Sequence, residues 1–191
     1  MTHRFSLRPI GLAGAFEIQP AIAQDVRGAF VKTVHRTEFH AQGLRADFSE
    51  VYYTVSRLNV LRGMHCQVPP HHHAKLVYCL AGGVLDVVVD LRLDSPNYRQ
   101  FATLSLSANT ANMVYIPPGC AHGFLVLNAP AILVYHVTSE HCPAADAGIR
   151  WDSFGFAWPI ENPHLSPRDA ALPGLAEFVS PFRMSDAYAE K

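Results

Sequence analysis

Charge is scarce in this sequence and evenly split. Aspartate, glutamate, lysine and arginine make up 16% of its 191 residues, 15 basic against 16 acidic, for a formal charge of −1. No field of one sign exists to collect nucleic acid or an anionic membrane surface, so an anionic ligand has to be held by a few local cations. Long apolar runs are missing as well. The opening MTHRFSLRPIGLAGAFEIQP contains nothing near the ~20 residues of a membrane span, and LAGAF is too short for a signal core. The chain is therefore expected to be cytoplasmic, with neither nucleic acid nor membrane as a partner. Cysteine is sparse: Cys66, Cys79, Cys120 and Cys142 lie far apart with no CxxC pair, which reads as reduced thiols rather than a disulfide framework. Sustained helical periodicity is lacking too. The best helical candidate, Asp169–Phe178, is interrupted by Pro173, so little helix is expected, and that mainly near the C-terminus.

What is present is the composition of one compact domain, with 49% apolar residues and turn formers punctuating short apolar runs. Leu85, Val87, Val89 and Leu91 alternate with Asp86, Val88 and Asp90, the period of a strand with one buried face. Ala81-Gly82-Gly83 reads as a hairpin joining that strand to Lys75–Leu80. Met113–Ile116 meets Pro117-Pro118-Gly119, Ala121–Leu127 meets Asn128-Ala129-Pro130, and Ile132–Thr138 follows as another strand. Repeated strand-turn-strand units favour an all-β barrel or sandwich. The stretch 146–163, with both tryptophans, reads as an irregular wrap over that barrel.

Eleven histidines, three of them consecutive at 71–73, make metal binding the first chemistry to weigh. A metal-binding cupin needs an HxH pair followed closely by glutamate and, later, another histidine. Pro117, Gly119 and His122 fit the second part of that pattern, but no glutamate occurs between Glu50 and Glu140, so the ligand set is incomplete. His71, His72 and His73 read better as a polar loop after Pro69-Pro70. Histidine as a proton carrier fits better, since imidazole titrates closest to cellular pH. His65 sits in Leu61-Arg62-Gly63-Met64-His65, where Arg62 offers a bidentate grip on phosphate and Gly63 lets the backbone pass close to a ligand. Lys75 shares a strand face with Val77 and Cys79 and points inward, which is costly unless it meets an anion. Each of these taken alone also fits a surface arginine, a core histidine or a snorkelling lysine.

NVLRGMHCQVPP, then AKLVYCLAGGVLDVVVDLRLDSPNY, then YIPPGCAHGF, then Asn162-Pro163 leading to LSPRD, occur in the order found in the dTDP-4-dehydrorhamnose 3,5-epimerase family, the RmlC-like cupins. The chain resembles that family from about Ile18 to Pro181. The resemblance implies a single cupin domain over residues 1–191, a double-stranded β-helix (jelly-roll) barrel with a short helical C-terminal region. It implies an isomerase that inverts C3, C5 or both of a nucleoside-diphosphate 4-keto-6-deoxy sugar, hexose or heptose, in deoxysugar and polysaccharide biosynthesis, with no metal or organic cofactor. By motif, the general base is His65 and its dyad partner Asp169; Lys75 faces the keto oxygen as it becomes an enolate, and Tyr135 is the acid on the opposite face. Arg62 and His122 match phosphate and substrate contacts. Arg27 matches a diphosphate contact that the family takes from a neighbouring subunit, which implies a homodimer.

Where the family has Glu, Gln and Asn this chain has Lys32, Glu50 and Tyr52, which with Phe30 are expected around the nucleotide base and ribose. Thymidine, cytidine and guanosine diphosphates therefore all stay open. His141 replaces a second tyrosine, leaving the number of inverted centres open. Competing readings are a 3,4-ketoisomerase or single-centre epimerase, a metal-dependent cupin, and a sugar-nucleotide binder without activity.

Overall fold

A computed structural model gives the structure of the chain and describes residues 4–187. Strand β1 (Phe5–Pro9) pairs antiparallel with β2 (Phe16–Pro20), and β3 (Ile22–Asp25) with β4 (Gly28–Val31) forms a separate two-stranded hairpin. Helix α1 (Arg36–Ala41) follows, then β5 (Glu50–Ser56), β6 (Leu61–Gln67), β7 (Lys75–Asp90), β8 (Phe101–Ser107), β9 (Met113–Ile116), β10 (Cys120–Val137), β11 (Asp146–Gly148) and helix α2 (Pro167–Ala170). The nine-stranded sheet runs β1-β2-β9-β7-β10-β6-β11, with β5 joined to β10 and β8 to β7. It is the expected all-β, double-stranded β-helix. No helix among the described residues is long and apolar enough to cross a membrane.

Two expected turns are not turns. Ala81-Gly82-Gly83 and Asn128-Ala129-Pro130 lie inside β7 and β10, which bend together and stay paired, Asn128 with Gly83 and Ile132 with Ala81. A glycine is needed there because the backbone of β10 crosses so close: a Cβ on Gly82, whose φ is +71°, would lie 2.3 Å from the Asn128 carbonyl oxygen. The bend shifts the register and, as in a bulge, exchanges the faces of the strand. Before it Val77 and Cys79 point into the barrel; after it Val84 and Val88 do. On β10 Phe124 and Val126 give way in the same manner to Leu133 and Tyr135.

The alternation in 85–91 also means something other than one buried face. Val87, Val89 and Leu91 pack outside the barrel under Ile149, Phe154, Trp158 and Phe182, while Asp86 and Asp90 are fully buried on the inner side. Both faces are covered, as for the central strands of a closed three-layer arrangement. The wrap at 146–163 is as expected, except that Asp146–Gly148 adds a strand to β6. The opposite flank is sealed by Phe5, Ile18, Phe39 and Leu44 against Leu76, Tyr78, Met113 and Tyr115.

Helix is indeed scarce, but the longer helix is α1, which lies between β4 and β5 rather than near the C-terminus. Six residues do not hold a helix alone. Phe39 does so here, fully buried and edge-on to Phe5 at 4.9 Å. The candidate 169–178 shrinks to Pro167–Ala170, and Met184–Ala187 is a 3-10 turn.

The shared bend gives a test. Gly82→Ala is expected to destabilise the fold by about 1–3 kcal/mol, because Cβ meets backbone that cannot yield. Urea unfolding should show a lower midpoint at unchanged slope; a wild-type midpoint would mean the bend tolerates a side chain.

Candidate active site

One end of the barrel opens into a cavity of about 370 Å³. Its walls come from four neighbouring strands in register, β5, β6, β7 and β10. Across β6, β10 and β7, His65 pairs with His122 and His122 with Val88; across β5, β10 and β7, Tyr52 pairs with Tyr135 and Tyr135 with Val77; one step on, Glu50 pairs with Val137 and Val137 with Lys75. Directly paired residues share a face of the sheet. The face exchange at the bends is what lets His122, from one half of the long strands and held by Asp86, look into the same space as Lys75 and Tyr135 from the other.

His65 is held by a carboxylate from far along the chain. Its Nε2 lies 2.8 Å from Asp169 Oδ1, and Asp169 Oδ2 accepts from the Gly63 N–H at 3.2 Å. Asp169 arrives there because His164 bridges to Val60 and accepts from the Leu61 N–H, after which Ser166 caps α2 by accepting from the Asp169 N–H at 3.1 Å. Burial opposes charge on Asp169, but the His65 hydrogen bond and charge and the Gly63 and Ser166 contacts outweigh it, and its pKa lies below the ordinary value. Burial lowers the His65 pKa, with Asp169 pulling the other way. The ring is thus neutral near pH 7. With Nε2–H donated to the carboxylate, the lone pair is on Nδ1.

His122 belongs to a second pair, its Nε2 2.7 Å from Asp86 Oδ2, and both side chains are buried. Lys75 is buried and donates to the His65 carbonyl oxygen at 3.1 Å, and burial lowers its pKa. Burial pushes the Tyr135 phenol well above its ordinary value, so it is protonated. Tyr52 stacks on Tyr135, centroids 4.8 Å apart, and its own pKa is pushed up to about 12 by burial and then by Glu50 and Asp146. Arg62 leans on Ser56, Nε to Oγ 3.0 Å, with its guanidinium at the cavity. Arg168 pairs with Asp146 at 2.7 Å. Three cationic side chains, Arg62, Lys75 and Arg168, line the cavity against two carboxylates, Glu50 and Asp146.

Of the residues expected at the site, His65, Lys75, Tyr135, Glu50, Tyr52, Arg62, His122 and His141 line the cavity, with Asp169 directly behind His65. Arg27, Phe30 and Lys32 do not. Arg27 and Phe30 lie on the β3–β4 hairpin, where Arg27 pairs with Asp25, away from the cavity of this chain. Lys32, Glu50 and Tyr52 consequently form no single patch. Glu50 and Tyr52 stand beside Tyr135, and Glu50 Oε2 accepts from the His141 N–H at 2.7 Å. The 71–73 loop sits where expected, but His73 turns into the cavity, linked to Gln67 and Ser139 at 3.1 Å each. Among the described residues no three His, Cys, Asp or Glu side chains gather as a metal-holding group.

Asp86, Gln67, His73, Asp146 and Arg168 were not foreseen. Arg168 adjoins Asp169 in LSPRD, and an aspartate inside the apolar VLDVVVD signals a buried partner once both faces are known to be covered. Gln67 gains meaning only from folding: its amide donates to the carbonyls of His71 and Glu140, and its oxygen accepts from the Cys142 N–H.

The family model for dTDP-4-dehydrorhamnose 3,5-epimerase matches residues 9–177. The chain is similar to the dTDP-4-dehydrorhamnose 3,5-epimerase of Mycolicibacterium smegmatis, 39% identical over 89% of this chain and 86% of that protein. It is similar also to the dTDP-4-dehydrorhamnose 3-epimerase of Streptomyces niveus, 36% identical over 90% and 84%. The crystal structure of dTDP-6-deoxy-D-glucose-3,5-epimerase RmlC from Legionella pneumophila in complex with dTDP-4-keto-L-rhamnose superimposes with a TM-score of 0.87 at 33% identity, covering 92% of this chain and 95% of that one. Sequence and barrel agree over nearly their whole length, and the chain belongs to the dTDP-4-dehydrorhamnose 3,5-epimerase family.

Proposed function

We propose that this chain epimerises a nucleoside-diphosphate 4-keto-6-deoxy sugar, taking a proton from the carbon beside the ketone and returning one from the other face. The observation that carries this reading is a neutral, carboxylate-held His65 and a protonated, buried Tyr135 lining one cavity with a buried lysine. His122, paired with His65 and edge-on to Tyr135 at 6.2 Å, stands between base and acid. His65 Nδ1 takes the proton, and Asp169 steadies the imidazolium. Charge arriving on the ketone oxygen faces Lys75, whose ammonium acts strongly in a dry site. Tyr135 then protonates the carbanion from its own side. A single group would mostly return the proton where it came from, so two are needed for inversion. C3 and C5 both flank the C4 ketone, and one base and one oxyanion stabiliser serve either. Arg62 and Arg168 at the opening suit the diphosphate. Relatives named for dTDP sugars put that nucleotide first among those to test.

Two copies are inferred to complete each site. Among the described residues the β3–β4 hairpin pairs with no other strand, and its Val26 and Phe30 are exposed. Carried over a neighbour's cavity, it would bring Arg27 to the diphosphate. In this reading Arg27→Ala and His65→Ala chains, unfolded and refolded together, regain activity well above the sum of the two, because the Arg27→Ala protomer keeps its base and borrows the arginine. Failure of the mixture to recover would place Arg27 in its own chain's site or nowhere near one.

In D2O, mass spectrometry is expected to show one or two deuterons entering dTDP-4-keto-6-deoxyglucose, with CDP and GDP analogues as alternatives, and none with His65→Ala. No uptake by folded wild type from any of the three would sink the assignment. The pH dependence follows from the same geometry. His65 must be neutral, and its pKa lies below the ordinary ~6.5, so kcat/KM should rise with pH through a value on the acid side of that and then stay level across neutrality. Asp169 raises the His65 pKa. Asp169→Asn should therefore move the acid limb to still lower pH while cutting kcat by about 10²–10⁴-fold; a limb moving upward would contradict the dyad.

A further inference from the structure

Tyr135 is flanked on two sides, and the two flanks differ in kind. On one side His122 meets it edge-on at 6.2 Å and is itself locked by the buried Asp86, within the long β7–β10 pairing. On the other lies Tyr52, its ring nearly parallel at 11° and centroids 4.8 Å apart. Tyr52 comes from β5, an edge strand that among the described residues pairs with β10 alone. Alternation along β5 sends Glu50, Tyr52 and Thr54 to the cavity and leaves Val51, Tyr53 and Val55 facing out at 57%, 68% and 56% exposure. Tyr52 itself is 39% exposed, so its ring is the layer between the Tyr135 phenol and water. The stacking follows directly from register, since Tyr52 and Tyr135 are cross-strand partners.

We propose that Tyr52 is a positioning residue for the acid: its ring, laid flat on Tyr135, fixes the plane of that phenol and keeps solvent from the face of the sugar that Tyr135 protonates. This rests on the epimerase reading for its consequence in turnover. An aromatic pair restricts rotation only while both rings are present, and the hydroxyl of Tyr52 contributes nothing to that restraint. Removal of the ring frees the phenol to turn and admits water. Proton removal by His65 does not pass through this contact.

The experiment separates exchange from inversion. In D2O, deuterium returned to the original face records abstraction by His65 alone, and inverted product records delivery by Tyr135. Tyr52→Ala is expected to raise the ratio of exchange without inversion to inversion by roughly tenfold, the weight of one aromatic pair, while Tyr52→Phe keeps the wild-type ratio. Tyr135 ring flips, followed by NMR on ring-labelled tyrosine in the ligand-free protein, should be accelerated at least as much in Tyr52→Ala and remain slow in Tyr52→Phe. The ring-flip measurement needs no turnover, so it judges the proposal even if none of the sugars reacts. An unchanged ratio or flip rate in Tyr52→Ala overturns it. So does an equal change in Tyr52→Phe, which would move the effect to the hydroxyl.

Discussion

The pairing of β7 with β10 runs from Lys75 and Val137 at one end to Asp90 and Cys120 at the other, through a bend that both strands make together. Each long strand thereby belongs to both halves of the barrel: β7 pairs with β9 before its bend and with β8 after it, and β10 pairs with β6 and then with β5. From Val126 to Leu133 β10 advances seven residues while β7 advances five, from Val84 to Cys79, and because both steps are odd both strands reverse which residues face inward. Without that reversal Lys75 and Tyr135 could not share an interior with Asp86 and His122. The cavity is thus a consequence of how two strands turn a corner, and the close backbone approach at Gly82 is where that corner is set.

Burying ionisable groups in such a barrel has two distinct outcomes here. Arg92 and Asp90 are both fully buried and richly bonded: Arg92 Nε and Nη2 reach the two Asp90 oxygens at 2.9 and 2.6 Å, Ser95 adds a third contact at 2.6 Å, and Arg92 Nη2 donates to the Ala13 carbonyl at 2.7 Å. Such a network ties the N-terminal segment to the barrel and resembles a structural ion pair. The cavity groups are different. Asp86 keeps Oδ1 without a hydrogen-bond partner. Lys75 donates to a neutral carbonyl rather than to a carboxylate. Groups left short of partners lower stability; an anionic or carbonyl-bearing ligand would satisfy the Lys75 ammonium, and a hydrogen-bond donor the Asp86 oxygen. The contrast between the two sets marks which end of the barrel is built for chemistry.

Much of this was legible in the sequence, for reasons that differ by residue. His65, Lys75, Tyr135 and Asp169 stand in local strings, RGMH, AKLV, the Leu133–Val137 face and LSPRD, so each could be placed before its partners were known. The barrel was readable from apolar runs and turn formers, although Gly82-Gly83 and Asn128-Pro130 were read as turns. Glycine and proline signal a backbone that departs from a straight strand; whether the strand ends or only bends depends on a partner strand far away in sequence. Alternation over 85–91 predicts one wet face carrying Asp86, and only the packing of 149–182 over the outer side shows that both faces are covered. Helix α1 was invisible since six residues span under two turns, and its stability comes from Phe39 meeting Phe5. Gln67, His73 and Tyr52's stacking on Tyr135 are facts of register and tertiary contact, which no single stretch of sequence records.

Desolvation acts in opposite directions on the two groups assigned to proton transfer. Removing water disfavours whichever form is charged, so it lowers the pKa of an imidazole and raises that of a phenol. His65 and Tyr135 show these two displacements in one cavity. The base is therefore neutral and the acid protonated over a wider span of pH than either would be in water, with no separate device needed for each. Asp169 limits how far the first displacement goes, because a base whose pKa falls too low ceases to hold the proton it removes. Its carboxylate restores part of what burial takes away, at the one ring nitrogen that does not face the cavity. Lys75 is disfavoured as a cation by the same dryness, and in the proposed reaction charge developing on the ketone oxygen would relieve it. In the proposed reaction the cost of burying the lysine becomes preference for the enolate over the ketone, the differential binding on which catalysis depends.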